Sequence, residues 1–153
     1  MRIFIDADAS PVVKESIEIA KDYDLEIIIV KNYAHQLSDD YATVVSVDVF
    51  KESADLYIIN NIEESDIVVT QDYGLAALCL GKNAVVINQN GMEFTDNNIN
   101  TLLDQRFYNR KLRSMGGKHS NPKKRKKSDD KKFITTLINV IEKNKKNLWL
   151  LYC

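Results

Sequence analysis

A three-layer α/β fold on a mostly parallel sheet of about five strands is what this 153-residue sequence predicts. Three observations carry the prediction. Short runs rich in Ile and Val recur through residues 1–92, segments of helical period separate them, and the runs end at acids or turn residues. Strands that alternate with helices form right-handed βαβ units, whose parallel sheet is covered on both faces.

The elements follow in order. Residues 2–6 (RIFID) are mostly apolar and end at Asp6, as a buried strand does where it surfaces. Ser10 suits an N-cap and Pro11 the first helical position; Val13, Ile17 and Ala20 carry the helix on until Asp22-Tyr23-Asp24. Residues 26–30 (EIIIV) and 43–47 (TVVSV) read as the second and third strands, the latter ending at Asp48. Ser53 to Ile62 has helical period, and residues 66–70 (DIVVT) form the fourth strand. A helix from Tyr73 to Leu80 follows, with Gly81 in the position of a C-terminal stop. Residues 84–88 (AVVIN) are the fifth strand, closed by the turn-like Gln89-Asn90-Gly91.

Beyond this point the pattern is helical. Thr95 is placed to cap a helix through Leu102 and Leu103 toward Leu112, and a lysine-dense loop runs from Gly116 to Ser128. Ser128 then caps a helix that has Asp129 and Asp130 in its first turn and Phe133, Leu137, Val140 and Ile141 on one face. The chain therefore reads as one domain over residues 1–147, an α/β core over 1–92 and a helical, basic extension over 93–147, with an apolar tail at 148–153.

Composition narrows the function. Hydrophobic residues make up 44% and charged residues 28%, a globular balance that excludes wholesale disorder. No apolar run is long enough to cross a bilayer, and the N-terminus reaches Asp6 too soon for a secretory core. Cys79 and Cys153 form neither a disulfide framework nor a metal-ligand spacing, and His35 and His119 lack partners at ligand spacing, so both histidines read as ordinary surface residues. A cytoplasmic protein with no membrane association is expected. The net charge of −1 conceals a split: 6 basic against 19 acidic side chains up to residue 105, then 15 against 3 from Arg106 onward. An acidic body can hold a divalent cation and a basic segment a polyanion; the two can also simply attract each other.

In an open parallel sheet, ligands bind outside the carboxyl ends of the strands. Those ends carry acids repeatedly: Asp6 and Asp8, Asp48, and Asp72, with Glu52 and Asp55 at the start of the helix after the third strand. Parallel strands bring them to one edge, where their repulsion calls for a cation. Oxygen donors of this kind suit Mg²⁺ or Mn²⁺, which assist phosphodiester hydrolysis. Each acid taken singly also fits a structural role: Asp8 or Ser10 as a cap, Asp72 as cap of the next helix, Glu52 as a solvated helix residue.

The segments IFIDADASP, KESADLYI (51–58), DIVVTQDYGLA (66–76) and LLDQRFYNRKLR (102–113) together resemble the YaiI/YqxD family, small bacterial proteins placed among PIN-like nuclease folds. The resemblance covers about residues 1–140 in order. It implies a PIN-like α/β/α sandwich with an acidic cluster at the carboxyl edge and, by analogy with PIN-like enzymes, metal-dependent cleavage of RNA. Residue by residue, Asp6 and Asp8 match the first acidic motif, Glu52 and Asp55 the second, Thr70 and Asp72 the third, and Arg106 and Arg113 the basic positions of the later helix. The chain departs from the family pattern at Ser10, where a cysteine is usual, at Asn88-Gln89-Asn90-Gly91, which lacks the usual arginine, and in the lengthened stretch from Gly116 to Pro122.

The basic residues complete the expectation. Arg106, Arg110 and Arg113 fall at i, i+4 and i+7 on one helical face, and guanidinium forks suit phosphate oxygens. The run Lys123-Lys124-Arg125-Lys126-Lys127 reads equally as a solvated loop or as a sequence-independent phosphate contact. The leading reading is a metal-dependent ribonuclease: Asp6, Asp55 and Asp72 as primary Mg²⁺ or Mn²⁺ ligands, Asp8 and Glu52 completing the site, and Thr70 orienting a carboxylate or water. A second is a non-catalytic module that binds nucleic acid. A third is a phosphatase, since IFIDADAS also resembles the Asp-x-Asp nucleophile motif of haloacid dehalogenases. There Lys82 is the one plausible lysine, and a helix starting at Pro11 leaves no room for a cap element.

Overall fold

Alternation along the first strand sets the architecture. In the computed structural model, which describes residues 1–8, 10–32, 36–50, 52–117 and 123–152, β1 (Ile3–Asp6) turns Ile3 and Ile5 to one face and Phe4 to the other. Successive strand side chains point to opposite faces, so each face of the sheet gathers its own core. Ile3 and Ile5 join the core beneath α1 (Val13–Asp22) and α5 (Lys127–Tyr152). Phe4 joins the core shared by α2 (Ser53–Asn61), α3 (Tyr73–Gly81) and α4 (Ile99–Ser114). The result is a three-layer α/β/α sandwich. His35, His119, Cys153 and the lengthened stretch 118–122 lie outside the described residues.

The sheet has six strands in the order β3-β2-β1-β4-β5-β6, with β2 at Ile27–Asn32, β3 at Thr43–Val47, β4 at Ile67–Val69, β5 at Val85–Ile87 and β6 at Glu93–Phe94. All neighbouring pairs are parallel except β5 with β6. The sixth strand was not expected: two residues are too short to show a period, and only the return of the Asn88–Gly91 turn brings Phe94 opposite Val86. The chain builds outward from β1 to β3, then crosses back and lays β4 on the other side of β1. The switch point thus falls between β1 and β4, where an open α/β sheet leaves a crevice.

Several helix boundaries differ from the sequence expectation. The first helix begins at Val13, not Pro11; Ser10 makes no cap, and its N–H donates instead to the carbonyl of Ala7 (3.0 Å) in a turn. Gly81 remains helical, and Asn83, with φ of 60°, is the left-handed residue after α3. Asparagine tolerates that conformation because its short polar side chain can bond locally. Thr95 and Asn98 exchange side-chain to backbone bonds at the start of α4 (2.9 and 3.3 Å). At α5 the capping oxygen belongs to Asp129, which accepts from the N–H of Lys126 (2.8 Å), while Ser128 lies inside the helix. α5 then continues without a break to Tyr152, leaving Trp149, Leu150, Leu151 and Tyr152 exposed. None of the described helices is long and apolar enough to cross a membrane.

Candidate active site

Strand register builds the site. Ile3, Phe4 and Ile5 of β1 stand beside Ile67, Val68 and Val69 of β4, so one step further Asp6 meets Thr70. Parity then orients them: Asp6 follows Phe4, and Thr70 follows Val68, toward the face covered by α2, α3 and α4. Thr70 Oγ1 donates to Asp6 Oδ2 (3.0 Å) and accepts from the N–H of Asp72 (3.0 Å). This hydroxyl ties the two strand ends together.

Asp72 is the N-cap of α3, its Oδ1 accepting from the N–H of Leu75 (3.1 Å). The same oxygen faces Arg106 Nη1 of α4 at 3.4 Å. Gly74 permits this approach, since a Cβ there would lie 3.1 Å from Asp72 Oδ1. Asp72 is thus both the cap of α3 and a residue lining the cleft. Asp55 arrives in the first turn of α2, whose N-cap Glu52 has φ of 78°. A non-glycine residue in that region stores roughly 1–3 kcal/mol that the surrounding fold must offset. Asp8 Oδ1 accepts from the N–H of Asn32 at the end of β2 (3.2 Å).

These side chains line one cleft of about 570 Å³: Asp6, Asp8, Asp48, Glu52, Asp55 and Asp72. Arg106 and Arg110 also line it. Arg113, one turn further, is exposed in the last turn of α4 and does not join them. A second space of about 30 Å³, enough for one water, adjoins Asp6, Asp8, Ser10 and Thr70.

Electrostatics follow from burial and crowding. The Asp6 carboxyl is pushed up to about 6: removal from water is the largest cause, the Thr70 hydroxyl opposes it, and the neighbouring Asp55, Asp8 and Asp72 add to the rise. Asp55 is raised by burial and then by Asp72 and Glu52, with Arg106 acting the other way. Cys79, buried beneath the site, has its thiol pushed up to about 12 chiefly by burial, which leaves no thiolate for chemistry.

Among the described residues, no three Asp, Glu, His or Cys side chains converge closely enough to enclose a metal ion. The expected ligands Asp6, Asp55 and Asp72 share the cleft without forming a closed cage, and Asp72 Oδ1 is engaged by the N–H of Leu75 and by Arg106. The donor chemistry fits a lesser demand. Mg²⁺ keeps several waters and takes one or two carboxylates, so it needs an open acidic rim and no all-protein cage.

The remaining expected residues divide. Lys123 and Lys124 are exposed. Arg125 is engaged within the fold: Nη2 lies 2.8 Å from Asp130 Oδ1 and donates to the carbonyl of Gln89 (2.8 Å), and Nη1 donates to Asn90 Oδ1 (2.7 Å). Its guanidinium latches the turn after β5 to the start of α5, a role that the lysine run around it conceals. Lys82, the lysine a phosphatase would need, donates to the carbonyl of Ile59 (2.7 Å). Gln71 and Gln89, which sequence reasoning passed over, bond to one another beside Asp6, bridging the ends of β4 and β5.

The fold and this cleft define a parallel α/β/α protein with an acidic crevice at its topological switch point. The chain belongs to the uncharacterised YaiI/YqxD family, whose sequence signature matches residues 4–143. It is similar to UPF0178 proteins of Natranaerobius thermophilus (41% identical over 141 residues, 92% of this chain and 96% of that protein). Others are those of Alkaliphilus oremlandii (44% over 144 residues, 94% and 93%) and Clostridium kluyveri (45% over 141 residues, 92% and 93%). No solved structure matches the chain significantly.

Proposed function

We propose that the cleft is the active site of a divalent-metal-dependent nuclease that cleaves RNA. The observation that carries this reading is the convergence of Asp6, Asp8, Glu52, Asp55 and Asp72 from separate chain segments into one cleft, with Arg106 and Arg110 beside them. Carboxylates that crowd and repel favour a bound cation, and Asp6, Asp55 and Asp72 are the residues to hold Mg²⁺ or Mn²⁺. Such an ion, when bound, polarises a phosphoryl oxygen and makes a nearby water more acidic.

The protein's own groups supply the rest. Thr70 holds Asp6 in orientation, and Asp8 and Glu52 accept hydrogen bonds from waters at the rim. Arg106 and Arg110 bind the phosphate backbone, which the acids alone would repel. In the hydrolysis a water oxygen bonds to phosphorus as the ester P–O bond breaks; a carboxylate takes the water's proton, and the departing oxygen gains one. Arg106 leaves Asp72 for the phosphate as the strand enters.

Incubation of the purified protein with single-stranded RNA and Mn²⁺ tests the reading, with a DNA strand as a parallel arm. Cleavage is expected to stop on chelation and to fall at least ~100-fold in Asp6→Asn, the scale of about 2.7 kcal/mol of lost transition-state stabilisation. Metal-independent cleavage, or equal cleavage by the variant, would contradict it. The pairing of Asp72 with Arg106 favours one alternative, a module that binds nucleic acid without turnover. Salt-sensitive RNA binding with no cleavage under any divalent ion would select that alternative.

A further inference from the structure

The cleft is also lined by exposed apolar side chains. Val49 and Phe50, in the loop between β3 and α2, are 67% and 79% exposed; Leu56 of α2 and Leu78 of α3 are 61% and 59% exposed, and all four line the cleft. Isolated exposed apolar residues are ordinary, but four around one acidic crevice form a patch that needs a partner. The loop that presents Phe50 is anchored, since its carbonyl accepts from the N–H of Ser53 (3.2 Å) at the start of α2.

We infer that Phe50, flanked by Val49, Leu56 and Leu78, is a stacking platform for an unpaired nucleobase whose phosphate is held across the cleft by Arg106 and Arg110. This rests on the nucleic-acid reading of the site and names the residue that engages the base. The occupant follows from what the cleft offers: a flat apolar face, two guanidinium groups and a floor of carboxylates. An acidic peptide answers the arginines but brings no flat face to Phe50, and a wholly apolar segment leaves the arginines unanswered. A nucleotide presents an apolar face and an anion in one unit. Every base has such a face, so the platform tolerates sequence, while a duplex keeps its faces stacked internally and cannot offer them.

Fluorescence anisotropy with EDTA present, so that no strand is cut, provides the test. The probes are a labelled single-stranded RNA and an abasic strand of the same length, against the full chain and its Phe50→Ala and Phe50→Trp variants. Wild type is expected to bind the base-bearing strand about tenfold more tightly than the abasic one, the scale of one stacked base. Phe50→Ala should lose that preference and Phe50→Trp keep it, with circular dichroism confirming the fold of each. Equal affinity of wild type for the two strands, no binding of either, or an unchanged preference in Phe50→Ala overturns the inference. So does dissociation of a dimer by Phe50→Ala, which would make the patch a self-association face. The readout is binding alone: failure of the platform leaves Asp6-dependent cleavage intact, whereas failure of the nuclease reading leaves the Phe50-dependent preference in place.

Discussion

The Asp6 carboxyl sits under two opposing influences, burial and neighbouring charge against a single hydroxyl from Thr70, and the first pair wins. The sign of its effect on stability follows. A carboxyl pushed up to about 6 in the folded protein, from 3.8 when unfolded, binds its proton more tightly in the native state. Between those values the folded form holds more protons than the unfolded chain, so stability falls as pH rises through this window. At neutral pH the ionised Asp6 thus weakens the metal-free fold, by up to about 3 kcal/mol as an order of magnitude. Asp6→Asn keeps the shape and the hydrogen bond to Thr70 without the charge. In chelator-containing buffer it is expected to stabilise the protein by about 1–3 kcal/mol at pH 7.5 and by little near pH 4. Denaturant titrations at the two pH values check this, and a destabilised variant at pH 7.5 would contradict it. Asp6 itself was legible in the sequence, because an apolar run that ends at an acid has one plausible geometry. The tie through Thr70 was legible only as a role implied by resemblance, since a register between β1 and β4 has no local signature.

At the scale of elements, strand ends and helix starts were readable and their mutual docking was not. The strands announce themselves as Ile/Val runs, and parallel topology then places Asp6, Asp8 and Asp72 on one edge without further information. The pairing of Arg106 with Asp72 depends on how α4 leans on α3 and on the absence of a side chain at Gly74, which helical spacing alone does not encode. Phe50 carried no sequence signal either, being one apolar residue in a short loop. The Arg125 latch shows the same limit from the other side: a lysine-rich run predicts solvent or phosphate, while the turn at Gln89-Asn90-Gly91 supplies acceptors that only folding brings near. Gly91 is the tightest point of that junction. Its φ is +80°, a Cβ would lie 2.6 Å from the carbonyl oxygen of Lys132, and Thr136 Oγ1 donates to its carbonyl (2.8 Å). Gly91→Ala is expected to cost about 2–4 kcal/mol and to loosen α5 from the β5–β6 turn. Thermal unfolding together with hydrogen exchange of the early turns of α5 measures both effects; an unchanged midpoint would show that the turn can relax.

For the whole molecule, the division of charge acquires a spatial meaning. Asp6, Asp8, Asp48, Glu52, Asp55 and Asp72, from the acidic first 105 residues, line the cleft, and Arg106 and Arg110 of α4, where the basic segment opens, line it too. Arg106 with Asp72 joins the two halves directly, at 3.4 Å and with both side chains partly exposed, so the attraction it contributes is slight. An opposing pair this weak can part when a polyanion arrives, which is what the proposed nuclease reading requires of it. The exposed Trp149 to Tyr152 end of α5 is far from this logic, and nothing in the structure explains it. The central proposal is that the carboxylates of one crevice take up a divalent ion. A crystal soaked in Mn²⁺ and measured at the manganese absorption edge tests that directly. Anomalous density bounded by Asp6, Asp55 and Asp72, with waters completing the coordination, is expected, together with its loss in Asp6→Asn. A clear map with no such peak, and Arg106 still against Asp72 at saturating Mn²⁺, would contradict it.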